Sequence, residues 1–219
     1  LFENTAETGV TWSVVESGDQ STTLEDDEGP LSEALDDSDE FVYSGDYECP
    51  TDLSLYVDGV YKHTVTNTAT LTGDNTNLSD DATVTVGCAI EYKDETAYAK
   101  AADGQCFIPE FANWGWTNPI YPEKYEWDLW AGAAACDTSK GTLVGSVTVD
   151  YDGTSVTVTY NVEAPYALEE THTYAGVGKY PLKKGVPTVA PGQYSIVGPF
   201  NNEKIYVIAH AVVGLPVTE

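Results

Sequence analysis

Three histidines and many carboxylates are the residues of this chain whose types suit catalysis or metal binding. His63, His172 and His210 are scattered, without the HxH or HExxH spacing that places two imidazoles on one metal ion. We interpret them as ordinary strand or core residues rather than zinc ligands. The chain has no GxSxG elbow, glycine-rich phosphate loop or reactive cysteine context. With 36 acidic residues, any carboxylate pair in a glycosidase arrangement is unspecific. We expect no enzymatic activity.

Aspartates in polar segments are candidates for calcium, which prefers carboxylate oxygens. Asp74, Asp80 and Asp81 bracket a predicted polar loop over residues 73–81. A second group crowds the N-terminal region: Asp26, Asp27, Glu28, Asp36, Asp37 and Asp39. Neither group follows EF-hand spacing, so a calcium site would have to be assembled from several loops. The alternative is that these carboxylates are simply solvated.

Four of the five tryptophans lie in the stretch from Cys106 to Cys136. Its aromatic side chains have two interpretations, because planar rings on a surface stack against sugars, whereas a sandwich core also needs large side chains. We favour the core for most of them. Trp114 and Trp116 lie in a segment broken by proline and glycine that we expect to be irregular, and they are the candidates for exposed, glycan-binding rings.

The charge of the chain limits its partners. Nine lysines, no arginine and 36 acidic residues give a formal net charge of −27. Such a surface repels phosphates and anionic lipid, so we expect no nucleic-acid partner. No run of 18 apolar residues is present, and we expect no membrane span.

The cysteines indicate an oxidising compartment. Four cysteines without a CxxC pair fit two disulfides. Cys49–Cys88 and Cys106–Cys136 is the preferred pairing of the three possible, because each bridge then closes within its own segment. The chain lacks methionine and begins at Leu1, as expected after signal-peptide removal. We expect an extracellular or cell-surface protein.

Alternating apolar and polar residues predict strands throughout the chain. Asp58-Gly59 and Asp152-Gly153 each mark a two-residue hairpin turn. The first joins predicted strands over residues 53–57 and 60–65, and the second joins valine–threonine strands over residues 143–151 and 154–162. Residues 205–213 are apolar on both faces, which predicts a central strand. We predict an all-β chain of two antiparallel β-sandwich modules, immunoglobulin-like or jelly-roll-like, over residues 41–103 and 104–219.

Residues 1–40 are predicted to form an extended acidic arm that stays solvated unless something binds it. Within it, residues 8–16 have a strand pattern that places Val10, Trp12 and Val14 on one face. This strand can complete the chain's own sheet or add to the sheet of a neighbouring copy, and the sequence leaves both open.

Several motifs of the second half of the chain occur in a familiar order: TAYA at Thr96, NWGWTN at Asn113, YEWDLWAGAAAC from Tyr125, LEETHTYAG from Leu168 and IYVIAHAVV from Ile205. Residues 96–213 thereby resemble a β-rich module of secreted and surface proteins of bacteria, many of them marine. The resemblance implies an extracellular setting and a self-standing β module, and it carries over no catalytic residue.

Together these features predict a secreted structural subunit of an extracellular filament, tube or surface layer. Its partner is another copy of itself, joined by exchange of the N-terminal strand. Calcium would screen the repulsion between acidic copies. The alternative is a monomeric adhesin-like or carbohydrate-binding β module that uses Trp114 and Trp116.

Overall fold

A computed structural model describes residues 4–11, 21–29, 32–35 and 40–217. They form sixteen β-strands and four short 3-10 turns, and this part of the chain contains no α-helix, so the all-β prediction is confirmed. The chain divides into two compact units, Leu1–Ile90 and Glu91–Glu219. Trp12 and Val14, proposed above for an assembly strand, and the acidic residues Asp36, Asp37 and Asp39 lie outside the described residues.

The first unit contains six strands in two antiparallel sheets. The strands are β1 Asn4–Thr11, β2 Thr22–Asp26, β3 Ser32–Leu35, β4 Glu40–Tyr47, β5 Val60–Gly73 and β6 Asn77–Ala89. Four of them form one sheet in the order β3-β2-β5-β6, and β1 pairs with β4 in a separate two-stranded sheet. The alternating valines and threonines of β5 and β6 give the unit its longest hairpin, with thirteen paired positions.

The N-terminal region is less independent of the first unit than predicted. Leu24 of β2 and Leu35 of β3 are buried with Ala69 and Leu71 of β5 in one small core. Burial of these leucines opposes solvation of the acidic run, since apolar area removed from water stabilises the folded state. The prediction of a detached arm over residues 1–40 is therefore corrected for β2 and β3.

Two local predictions in the first unit are also corrected. Residues 53–57 do not form a strand, because the Asp52 carboxylate accepts a hydrogen bond from the Ser54 N–H and caps a 3-10 turn, Leu53–Leu55. Asp58-Gly59 is nevertheless a tight turn, with positive φ at both residues and a bridge that joins the flanking valines. The predicted loop over residues 73–81 is shorter, because β6 already begins at Asn77.

The second unit is built from ten strands. They are β7 Tyr92–Lys100, β8 Gln105–Cys106, β9 Trp116–Ile120, β10 Glu123–Ala131, β11 Thr142–Tyr151, β12 Val156–Val162, β13 Ala167–Gly176, β14 Leu182–Lys183, β15 Val186–Pro187 and β16 Ile205–Pro216. Eight form one sheet. Seven of them follow the order β12-β11-β10-β7-β16-β9-β8, and the eighth, β13, also pairs with β16. β14 and β15 form a separate small hairpin.

The large sheet folds over on itself around its main core. Leu129 and Val147, from one half of the sheet, share this core with Val207 and Ala209 of β16 from the other half. The two ends of the sheet also meet, because the Tyr160 hydroxyl of β12 lies 2.8 Å from the Thr173 hydroxyl of β13. The second unit is thus sandwich-like, as predicted.

The outer face of β16 is covered as well. Ile208 of β16 packs there with Phe107, Trp116, Tyr174 and Tyr180 in a second, aromatic core. Burial on both faces explains why residues 205–213 are apolar without alternation, and it confirms the prediction of a central strand.

Both preferred disulfides are present. Cys49 and Cys88 are bridged in the first unit, and Cys106 and Cys136 in the second, each with a Cα–Cα distance of 5.9 Å. Each bridge closes within its own unit.

Three predictions for the second unit need correction. The boundary between units falls after Ile90 rather than near residue 103, because β7 pairs with β10 and β16. The proline-rich segment contains a strand after all, β9, which tolerates Pro119 while pairing with β16. The β11–β12 hairpin has a four-residue loop, residues 152–155, in which the Asp152 carboxylate accepts hydrogen bonds from the N–H groups of Thr154 and Ser155.

Candidate functional site

A cleft on the outer face of the second unit is the best candidate for a binding site. It has a volume of about 420 Å³, and side chains of β7 and β16 (Thr96, Tyr98 and His210) form part of its lining. The segment that the Cys106–Cys136 bridge closes supplies most of the rest: Ile108, Ala112, Asn113, Trp114 and Ala135. We call this site the outer cleft. Its size is within the range of small-molecule sites, roughly 300–1,000 Å³.

The polar side of the outer cleft follows from the register of three neighbouring strands. His210 of β16 lies opposite Tyr98 of β7 on one side and opposite His172 of β13 on the other. Side chains that are directly opposite point to the same face of a sheet, so the three rings form a row. The Tyr98 and His210 rings are 4.9 Å apart, and the His172 and His210 rings are 5.3 Å apart.

The two histidines of this row are hydrogen-bonded to each other. Their Nδ1 atoms are 3.3 Å apart, so one Nδ1–H donates the hydrogen bond and the other Nδ1 accepts it. The partly exposed His172 also places Nε2 3.2 Å from a carboxylate oxygen of Glu170. His210 is 4% exposed, and burial first, then repulsion by His172, lowers its pKa to about 4. At neutral pH His210 is therefore an uncharged hydrogen-bonding group.

Trp114 supplies the aromatic side of the outer cleft. Its indole is partly exposed and meets Tyr98 and Trp116 edge to face, with centroid distances of 5.2 and 5.7 Å. These contacts hold the ring in place in a cleft that Asn113 and Thr96 also line. An aromatic face beside several hydrogen-bonding groups suits a ligand with apolar and hydroxyl-bearing surfaces.

Trp116 does not share this role. It lies on β9, is 2% exposed and belongs to the aromatic core, so the prediction that its ring is exposed was wrong. The difference arises because Trp116 lies on β9 with its side chain in the aromatic core, whereas Trp114 precedes this strand. Trp127 is also buried, and for these two tryptophans the core interpretation is confirmed.

The candidate calcium residues that the structure describes are not gathered into a site. Asp74 lies in the β5–β6 turn, whereas Asp80 and Asp81 lie on β6, where adjacent side chains point to opposite faces. Asp26 is bonded to the N–H groups of Glu28 and Gly29. No group of three or more His, Cys, Asp or Glu side chains within residues 4–11, 21–29, 32–35 and 40–217 is arranged to hold a metal ion. Calcium binding stays a prediction.

The N-terminal strand is placed next to its own chain. β1, which includes Val10, pairs with β4 over eight positions, from Asn4 opposite Tyr47 to Thr11 opposite Glu40. In this structure β1 therefore completes a sheet of its own chain. Exchange of the strand between copies stays a prediction.

Sequence reasoning identified Trp114 but missed the row of Tyr98, His210 and His172, of which the first two line the outer cleft. His172 and His210 were interpreted as ordinary strand residues, and Tyr98 was not singled out. One signal was present, because His210 interrupts an otherwise apolar run at a position where alternation places it on the same face as Ile208. The pairing of β16 with β7 and β13 could not be read from the sequence.

Comparison of the chain with models of known families, with curated proteins and with solved structures finds no match. The two disulfides indicate an oxidising compartment. A search of the described residues finds no helix with the length and apolar character needed to cross a membrane.

Proposed function

We propose that the second unit is an extracellular carbohydrate-binding module whose ligand occupies the outer cleft. The observation that carries the proposal is the position of Trp114, a partly exposed ring fixed by Tyr98 and Trp116 beside polar groups of Asn113, Thr96 and His210. A sugar ring has an apolar face that stacks on an indole and hydroxyl groups at its edge that exchange hydrogen bonds with amide, hydroxyl and imidazole groups.

Two further features support this assignment. The Cys106–Cys136 bridge closes the segment that carries Trp114, which limits the entropy lost when a ligand orders the cleft. His210 is neutral at physiological pH, so its imidazole is available to a ligand as an uncharged hydrogen-bonding group.

The test is a glycan array with the full chain, followed by calorimetric titration of any glycan that binds. Replacement of Trp114 by alanine is expected to reduce affinity at least tenfold. Tyr121 provides a matched control, because it is an aromatic side chain that is 61% exposed and does not line the cleft. The Tyr121→Ala protein should bind like the wild type. A flat array, or equal loss in both variants, would refute the proposal.

A second candidate function is that of a structural subunit that assembles by exchange of β1, as in a filament, tube or surface layer. It is favoured by the β1–β4 sheet, in which β1 is paired along its whole length with a single strand of the described chain. A β1 strand from a neighbouring copy can make the same main-chain hydrogen bonds. Such a contact does not close on itself and so produces fibres.

Cysteines at the paired positions Glu7 and Ser44 separate exchange from pairing within one chain. A mixture of Glu7→Cys and Ser44→Cys proteins should form crosslinked heterodimers under oxidation if β1 exchanges. If only the double variant crosslinks, and does so within one chain, the exchange mechanism is rejected. Deletion of residues 1–20 should likewise leave a folded protein that forms no fibres in electron micrographs, with calcium or with chelator.

A further inference from the structure

A short hairpin of the second unit concentrates positive charge on an otherwise acidic chain. β14 and β15 are joined by Lys184 and Gly185, both with positive φ, as a two-residue hairpin turn requires. Three of the nine lysines lie within six residues: Lys179, Lys183 and Lys184. Lys179 is already engaged, since it forms an ion pair with Glu110. Lys183 and Lys184 are exposed and form no ion pair with any residue that the structure describes.

An apolar groove adjoins these two lysines. It has a volume of about 420 Å³, and Val177, Leu182 and Val197, which are 56%, 64% and 60% exposed, contribute to its lining. Val186, opposite Lys183 in the hairpin, is 65% exposed. Exposed apolar side chains grouped beside charged ones are typical of protein contact surfaces.

The opposite charge is concentrated in the first unit. Leu1–Ile90 contains 20 of the 36 acidic residues and one lysine, Lys62, which gives a formal charge of −19. The second unit contains the other 16 acidic residues and eight lysines, for a formal charge of −8. Because most of the negative charge lies in the first unit, the lysines of the hairpin of one copy are attracted most strongly to the first unit of another copy.

One stretch of the first unit matches the hairpin in both apolar and charged character. Leu78 is 59% exposed on β6, the last strand in the order of the four-stranded sheet, and it is followed closely by the exposed Asp80 and Asp81. A leucine flanked by carboxylates complements a groove flanked by lysines. Leu78 and Asp80 also share one face of the strand, so both can meet the same surface.

We propose that the β14–β15 hairpin and its groove are a docking surface for a second copy of this chain, which binds through residues 78–81 of its β6. Leu78 enters the groove, and Asp80, on the same face of β6, pairs with Lys183 or Lys184. Asp81, on the opposite face, adds to the negative charge of this stretch. The two surfaces are different, so the contact is heterologous and joins copies head to tail. The docking requires neither glycan binding in the outer cleft nor exchange of β1, and the failure of either proposal would leave it intact.

Sedimentation of the full chain over a concentration series at low salt tests the docking. The wild type should associate reversibly, and a Lys183→Glu/Lys184→Glu variant should associate at least tenfold more weakly. Lys124→Glu/Lys140→Glu is the matched control, because it changes net charge equally at lysines outside the hairpin that pair with Asp150 and Asp137. It should associate like the wild type. Equal weakening in both variants would show a net-charge effect and overturn the proposal.

Charge exchange provides the decisive experiment. An Asp80→Lys/Asp81→Lys variant should also fail to self-associate, whereas its equimolar mixture with Lys183→Glu/Lys184→Glu should associate, since each hairpin then meets a β6 stretch of opposite sign. Circular dichroism checks that both variants are folded. A wild type that stays monomeric at every concentration, or a mixture that stays as dissociated as its components, would refute the docking surface.

Discussion

His172 and His210 lie opposite each other on β13 and β16, with their Nδ1 atoms 3.3 Å apart. Both rings cannot be protonated without two positive charges in contact, one of them almost fully buried. This pair therefore links the acid stability of the second unit to the side chains that line the outer cleft.

The first prediction concerns this acid sensitivity. The pKa of His210 is about 4 in the folded chain and about 6.5 when unfolded, so the unfolded state binds the proton more readily. Its contribution to stability is complete above pH 6.5 and is lost as pH falls towards 4. By pH 4.5 the wild type should lose roughly 2–3 kcal/mol from this residue.

The measurement is denaturant unfolding at pH 7.5 and 4.5, followed by tryptophan fluorescence. In His210→Gln the difference between the two pH values should shrink by that amount. His63→Gln is the control, because His63 belongs to the other unit and stacks on Tyr47. An unchanged pH difference in His210→Gln would contradict the assignment.

The second prediction concerns Cys106 and Cys136. Their bridge closes a 30-residue separation, and its removal should lower the free energy of unfolding of the second unit by about 3–4 kcal/mol. A Cys106→Ser/Cys136→Ser variant tests this by fluorescence, since four of the five tryptophans lie in this unit. Cys49→Ser/Cys88→Ser should leave that transition in place. Similar effects of the two double variants would mean that the units do not unfold separately.

A third prediction concerns Gly145 on β11. Its φ is +151°, and an added Cβ atom would lie 2.0 Å from the Asn161 carbonyl oxygen on β12. Because both the conformation and the contact exclude a side chain, Gly145→Ala should destabilise the second unit by at least about 2 kcal/mol. Gly192→Ala, where no heavy atom lies within 4 Å, should change thermal unfolding little. Equal melting temperatures for the two variants would contradict the prediction.

The fourth prediction concerns Asn118, whose amide is fully buried between strands. Its Oδ1 accepts a hydrogen bond from the Ala101 N–H, and its Nδ2 donates to the carbonyls of Ala99 and Val207. Asn118→Ala removes three hydrogen bonds to backbone groups of buried residues and should cost about 3 kcal/mol or more. Asn161→Ala, at an exposed site on β12, should be close to neutral. Calorimetric melting distinguishes the two, and a near-neutral Asn118→Ala would show that water replaces the amide.

The sequence was informative where local patterns determine the structure. The Val-Thr alternation of residues 143–151 predicted β11, and the continuous apolar run after Ile205 predicted a central strand. It was misleading where a distant partner decides the outcome. Pro119 argued against a strand at β9, yet β16 pairs with this segment, and Leu24 lies in an acidic run that two other strands nevertheless bury. For the outer cleft, Trp114 was predicted from composition, whereas its neighbours Tyr98 and His210 depend on strand order.

The position of β16 has a consequence for how the second unit forms. β16 is the last strand of this unit in the chain, yet it lies between β13 and both β7 and β9, and its side chains enter both cores. While a chain is being synthesised, everything before Ile205 lacks the strand that joins its two halves. The β7, β10, β11 and β12 strands can pair with one another before that point, but the complete sheet and both cores form only after residues 205–216 have emerged.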